Sequence, residues 1–237
     1  MRAVNVVGFK DTGKTTLAAG LLEGLTALGL APAALKFTHQ AGLDKQGTDT
    51  AKLLSRAVAS AAIGEAESAV FWREKKHLRD MLALLGSRTV VVEGGKDLGV
   101  MPRIVIAADQ AQARQLGAGE GGLALAVYGP EGVDGVPAER DVAKLARLAA
   151  ERGFLLPGLD CGGCGRASCR ELAVEIVAGR AAPEDCTAQG GEISVTMNGV
   201  PLGLNPFVAR MLKAGLAGML RELKGFTPGE TVITLKL

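Results

Sequence analysis

The chain has 237 residues, a formal net charge of +2 and 48% hydrophobic residues, which is ample for one or two domains with a buried core. The balanced charge and the 3% aromatic content argue against a nucleic-acid partner and against base-stacking surfaces. No apolar run approaches the roughly 20 residues of a membrane span, and the N-terminus enters a strand at once, so the expectation is a cytoplasmic chain with no leader and no membrane partner.

Residues 2–7, RAVNVV, form an apolar β-type run. GFKDTGKTT follows at 8–16, and leucines then recur at helical spacing. Gly8, Gly13, Lys14 and Thr15 thus satisfy G-x-x-x-x-G-K-[ST] between a strand and a helix, the context the motif requires. Its chemistry is a phosphate cradle. Glycines let backbone N–H groups close on an anion, and the helix start adds its unsatisfied donors and its positive dipole end. Lys14 supplies a mobile charge for the β- and γ-phosphates, and Thr15 a hydroxyl for Mg²⁺. The nucleotide-binding stretch is read as Gly8, Lys10, Asp11, Thr12, Gly13, Lys14, Thr15 and Thr16. A glycine-rich turn that binds nothing is the alternative.

The first helix is expected to end near Gly29, with a second strand at 33–37. His39 follows it, on the side where ligands of open α/β sheets gather. In the polar loop 42–50, Asp44 and Asp49 are candidates for a metal or a water; Asp49 serves equally as a cap for a helix at 50–56. Two short β-type runs, 57–64 and 68–72, suggest an antiparallel pair or an insertion beside the main sheet. A helix at 74–85 leads to TVVVE, whose three valines fit a central strand buried on both faces. Its last residue, Glu93, is the candidate strand-end carboxylate for Mg²⁺. Lys14, Asp49 and Glu93 are the candidate catalytic residues. Strands at 103–107 and 123–127 and helices at 110–116 and 142–152 complete an α/β domain with a mostly parallel sheet. No N-K-x-D guanine-reading motif occurs.

All four cysteines fall late, at Cys161, Cys164, Cys169 and Cys186, in the spacing C-x2-C-x4-C-x16-C. In a chain without a secretory leader, such clustering favours a metal over disulfides. Four thiolates suit a [4Fe–4S] cluster or a structural zinc; three compact ligands interleaved with glycines and one remote ligand favour the cluster. Arg166 and Arg170 either offset its negative charge or are simply solvated. The tail contains an Asn198-Gly199 hairpin signal, then Asn205-Pro206 opening a helix to about 224 whose apolar stripe reads as core. A closing strand is expected at 231–237. Two domains result: residues 1–156, a P-loop NTPase, and residues 157–237, a small α+β iron–sulfur domain.

Residues 1 to about 150 resemble the MobB family of molybdopterin-guanine dinucleotide biosynthesis adapters. The resemblance rests on VVGFKDTGKTTL, on LKFTHQ with LDKQGTDTAKLLSRA, and on VVVEGGKD before PRIVIA. It implies a homodimer that binds and slowly hydrolyses GTP (or ATP) with Mg²⁺, working with a molybdopterin guanylyltransferase or a molybdenum or tungsten enzyme. Phe37-Thr38-His39 stands where the family commonly shows a more histidine-rich stretch. The cysteine segment is similar to four-cysteine iron–sulfur domains of corrinoid iron–sulfur proteins and of electron-transfer subunits of anaerobes. The combination suggests a variant handling molybdenum, tungsten or another metallocofactor. Two further readings stand beside it: an NTP-gated electron carrier, and an iron–sulfur module that docks on a partner enzyme. The carrier reading is weakened by Phe9, where nitrogenase-type iron proteins place a lysine.

Overall fold

The structure, a computed structural model, describes residues 1–189, 193, 195–197, 200–202, 204–227, 229 and 231–233. Its centre is a five-stranded parallel sheet. The strands are β1 (Arg2–Gly8), β2 (Pro32–Lys36), β5 (Thr89–Glu93), β6 (Arg103–Ile106) and β7 (Ala124–Tyr128), in the order β2-β5-β1-β6-β7. The antiparallel pair β3 (Ala59–Ile63) and β4 (Ser68–Trp72) forms its own two-stranded sheet, as expected from the sequence. The valine run of β5 is buried throughout, as a central strand requires.

Helices cover both faces of the main sheet. On one face α1 (Lys14–Ala27) and α5 (Val142–Arg152) pack Leu17, Leu21, Leu25, Leu145 and Ala149 over Val4, Val6, Val91 and Ile104. Two glycines of α1 serve close packing rather than a turn. A Cβ at Gly24 would lie 2.5 Å from that of Ala146, and one at Gly20 would lie 2.9 Å from Val142 Cγ1. The two glycines therefore let α5 settle directly on the α1 backbone. On the other face α3 (Leu78–Leu85) covers Val90 and Val92 through Leu82. This helix starts four residues later than its apolar periodicity suggests, because the His77 N–H takes a cap bond of 3.0 Å to Asp80 Oδ2. The short helices α2 (Asp49–Leu54) and α4 (Gln110–Gln115) begin at Thr48 and Asp109, whose side chains accept first-turn amides. Thr48, rather than Asp49, is thus the cap of α2.

The chain then passes through Phe154 and Leu156, both buried, into the cysteine-bearing helix α6 (Cys169–Val177). Leu172, Ala173 and Ile176 share one core with Leu123, Phe154 and Leu156. The segment is seated against the sheet domain through the loop at residues 94–102. The Leu156 N–H donates to Val100 O at 2.8 Å, and Arg170 Cβ lies 3.1 Å from where a Gly99 Cβ would be. Beyond it lie the hairpin β8 (Val195–Met197) and β9 (Val200–Leu202), and then α7 (Pro206–Arg221), capped by Asn205. The hairpin's turn, Asn198-Gly199, lies outside the described residues.

Two expectations fail in the tail. The stripe of α7 is not core: no residue of the helix is buried, and Met211 and Met219 are each at least 60% exposed. Periodicity defines an apolar side but not what covers it, and among the described residues no layer lies over this one. The closing strand is absent at 231–233, and its remainder, 234–237, lies outside the described residues.

Candidate functional site

The 8–16 loop sits at the carboxyl end of β1, in the middle of the sheet, where strand order places α1 and the end of β5 beside it. Gly13 adopts a left-handed φ of 83° as the residue before α1, a conformation glycine takes without strain. Gly8 is required for a different reason: a Cβ there would lie 2.6 Å from Thr12 Oγ1. Thr12 donates to Phe9 O at 2.9 Å, and Lys14 Nζ donates to the same carbonyl, so the loop folds around its own lysine. Unlike α2, α4, α5 and α7, whose first-turn amides are met by cap side chains, α1 has no side-chain cap and no acid in its first turn. Its orphan N–H groups are free for an anion. Lys10, Asp11, Thr15 and Thr16 are solvent-facing, so the cradle is open.

Glu93 ends β5, in register with Val6 of β1 on one side and Lys36 of β2 on the other. Its carboxylate accepts the Thr15 hydroxyl at 3.0 and 3.1 Å, and Lys36 Nζ stands 2.9 Å from its Oε1 and 3.1 Å from Thr15 Oγ1. Thr15 and Glu93, singled out from the sequence, are thus brought together across 78 positions. Lys36 is a residue the sequence reading missed. Its signal was present in LKFTHQ, as a lysine closing a strand, but only the register that sets it opposite Glu93 gives it meaning. An ammonium between a hydroxyl and a carboxylate shows that these two oxygens accept a cation; Mg²⁺ fits the same donor set.

The loop after Glu93 turns back through Gly94, whose φ of 82° puts it against Phe37 O, and Gly95, whose carbonyl accepts Asn5 Nδ2 at 3.2 Å. Lys96 then lies 4.4 Å from the Phe9 ring centroid, a cation–π contact onto the phosphate loop. Farther along, buried Arg103 fastens the loop by donating to Leu98 O and Leu116 O at 2.7 and 2.9 Å; burial pulls its guanidinium down to about 10.

The other sequence candidates make their contacts within their own loop or helix or stand exposed. Asp49 opens α2 with its side chain 92% exposed and ion-paired to Lys52 at 3.0 Å. Asp44 accepts Thr48 and Thr50 hydroxyls and so braces its own loop. His39 is exposed beyond β2.

The four cysteines, none in a disulfide, border one small pocket together with Arg166 and Leu172. Cys161 is exposed, Cys164 half-buried, and Cys169 and Cys186 buried. Burial pushes the Cys186 thiol up, and the neighbouring Cys169 and Cys164 add to the shift. Among the described residues no three His, Cys, Asp or Glu side chains converge on a point where a single metal ion is held. Four thiols lining one pocket are the donor set of either a structural zinc or an iron–sulfur cluster. The Cys169 N–H donates to Asp160 Oδ1 at 2.6 Å, fixing the start of α6. Arg166 is engaged with Glu175 at 2.7 Å and with Cys164 O at 2.8 Å, so it is not simply solvated. Burial lowers the pKa of Arg79 of α3, while Cys169 and Cys186 act in the opposite direction, so this guanidinium is within electrostatic range of the two thiols.

A parallel α/β sheet with a glycine-rich loop, an uncapped helix start and a strand-end acid meeting the loop's threonine has the architecture of the P-loop proteins. Within that class the chain belongs to the MobB family: the pattern described as "Molybdopterin guanine dinucleotide synthesis protein B" matches residues 3–127, more than half its length. A second pattern, "Putative Fe-S cluster", matches residues 156–188. The chain is 26% identical to a "Putative molybdopterin-guanine dinucleotide biosynthesis adapter protein" of Methanocaldococcus jannaschii, over 98% of this chain and 96% of that one. Among solved structures it is similar to Bacillus subtilis MobB (TM-score 0.51, 22% identity, 63% of this chain and 98% of that one). It is also similar to a molybdopterin-guanine biosynthesis protein B (TM-score 0.50, 23% identity, the same shares). These likenesses concern the fold.

Proposed function

We propose that this chain is a nucleotide-binding adapter in molybdenum or tungsten cofactor assembly that hydrolyses GTP (or ATP) slowly and carries a [4Fe–4S] cluster. The meeting of Thr15 and Glu93 at the mouth of the phosphate loop is the observation that carries the nucleotide half. In this reading the amides of Gly13 and of the first turn of α1 hold the phosphates. Lys14 leaves Phe9 O to neutralise the phosphate charge, and Thr15 and Glu93 hold Mg²⁺. Magnesium supplies charge neutralisation on the phosphate oxygens.

The thiolates of Cys161, Cys164, Cys169 and Cys186 hold the cluster, with Arg166 and Arg79 offsetting its negative charge. The cluster supplies electron transfer or redox sensing, and Cys161 is its solvent-facing corner. The protein acts in the cytoplasm as a homodimer beside a molybdopterin guanylyltransferase or a molybdo- or tungstoenzyme.

Lys14→Ala is expected to abolish both nucleotide binding and the basal GTPase; unchanged turnover overturns the assignment. Iron and acid-labile sulfide near four per chain in anaerobically purified protein are expected for the cluster; zinc near one per chain without sulfide removes it. A second reading, the nucleotide-gated electron carrier, draws on the 94–102 loop, which touches both sites. It requires the cluster's potential to shift at saturating nucleotide.

A further inference from the structure

The site around Glu93 already contains a cation of its own. Lys36 Nζ, Thr15 Oγ1 and the Glu93 carboxylate close a triangle with sides of 2.9 to 3.1 Å. The two groups that Lys36 engages are the hydroxyl and the carboxylate that a P-loop site presents to its divalent ion. An ammonium and a divalent ion cannot both hold them. They need the same lone pairs, and like charges at contact distance repel, the more so beside a carboxylate that is only 11% exposed.

The placement is built into the sheet. Lys36 is the last residue of β2 and Glu93 the last of β5, and the two are paired in register. The Lys36 side chain is 55% exposed on a flexible four-carbon stem, so its head can leave without disturbing the core.

We propose that Lys36 is an intramolecular competitor for the divalent-cation position, a positioning residue that neutralises Glu93 until metal and nucleotide arrive together. The inference rests on the nucleotide-site reading above. Metal alone must displace Lys36 with no phosphate oxygens to complete its coordination, so it binds weakly. With nucleotide present the phosphates supply those oxygens. Metal and nucleotide binding are therefore coupled, and by linkage the coupling is reciprocal.

The test is Mn²⁺ binding to the full chain, read as the free Mn²⁺ electron paramagnetic resonance signal, with and without a non-hydrolysable GTP analogue. Without nucleotide, Lys36→Met and Lys36→Gln are expected to bind Mn²⁺ at least about tenfold more tightly than the unaltered chain, while Lys36→Arg stays close to it. With the analogue present all four proteins bind Mn²⁺ more tightly, and the Met and Gln variants keep their advantage, because the metal displaces Lys36 in either case. Folded Met and Gln variants that stay within about twofold of the unaltered chain without nucleotide overturn the proposal. Glu93→Gln and Lys14→Ala separate the two levels of the argument. If they lose the Mn²⁺–nucleotide complex while the Lys36 variants change nothing, the Lys36 inference alone fails. If they bind it like the unaltered chain, the nucleotide-site reading fails, and the inference falls with it.

Discussion

Glu93 and Cys186 are both acids held at the edge of the core, and their surroundings treat them in opposite ways. Glu93 is met by a hydroxyl and an ammonium that bond to its carboxylate. Cys186 is surrounded by apolar groups and by two other thiols, which disfavour its charge. Its raised pKa means that the folded chain keeps the proton above the ordinary value of 9.0, so metal-free protein loses stability as pH climbs from there through the folded value. The same burial predicts an order of reactivity. In metal-stripped protein at about pH 8, close to the usual thiol range, iodoacetamide is expected to label Cys161 first and Cys186 last, as mass spectrometry of digests will show. Equal rates at the two would mean that the pocket opens freely. Close contact sets another expectation at this scale. A Cβ on Gly163 would lie 2.5 Å from Pro206 Cγ and 2.6 Å from Thr187 Oγ1, so Gly163→Ala is expected to lower the stability of the α7 attachment by about 1–3 kcal/mol, measured as a shift in the denaturation midpoint.

Among the elements, α1 and α7 share a trait of sequence: each carries two internal glycines among recurrent leucines. Their surroundings make them opposites. Gly24→Ala puts a methyl 2.5 Å from Ala146 Cβ and is expected to cost about 1–3 kcal/mol of overpacking, outweighing the gain of up to about 1 kcal/mol in helix propensity. Gly215 and Gly218 of α7 face open space, and Gly→Ala at either is expected to stabilise by up to about 1 kcal/mol. Thermal or urea denaturation of the three variants checks both signs. The sheet strands and α5 were legible because their residues are apolar at the right period and bounded by turn residues. The start of α3 was not, since its cap lies in a pairing between His77 and Asp80 that competes with an equally apolar earlier start. Among the described residues no helix is long and apolar enough to cross a membrane, and α7 is no exception.

For the whole molecule, the informative stretch is the loop at 94–102. One end sits against the phosphate loop, through Lys96 on Phe9; the other sits against the cysteine segment, through Val100 and Gly99. The core around Leu172 is continuous with Leu123 and Leu156, so residues 1–189 are expected to unfold together while α7 opens separately. Hydrogen exchange is the measurement: slow amides in α1, β5 and α6, fast ones in α7. Slow exchange in α7 of the free chain would instead show that another copy covers its apolar side.

The motifs themselves were readable from the chain, because glycine, lysine, threonine and cysteine at fixed short spacings have few other uses. Local spacing sufficed for the phosphate loop, the four thiols and the family resemblance, and the valine run located Glu93. Tertiary structure alone decided which distant groups meet. Parallel register set Lys36 beside Glu93, packing seated the cysteine segment on the sheet domain, and the absence of a covering layer among the described residues left α7 exposed. A period of apolar residues records which side of an element avoids water, while the identity of the neighbour depends on chain topology, which no local window of sequence contains.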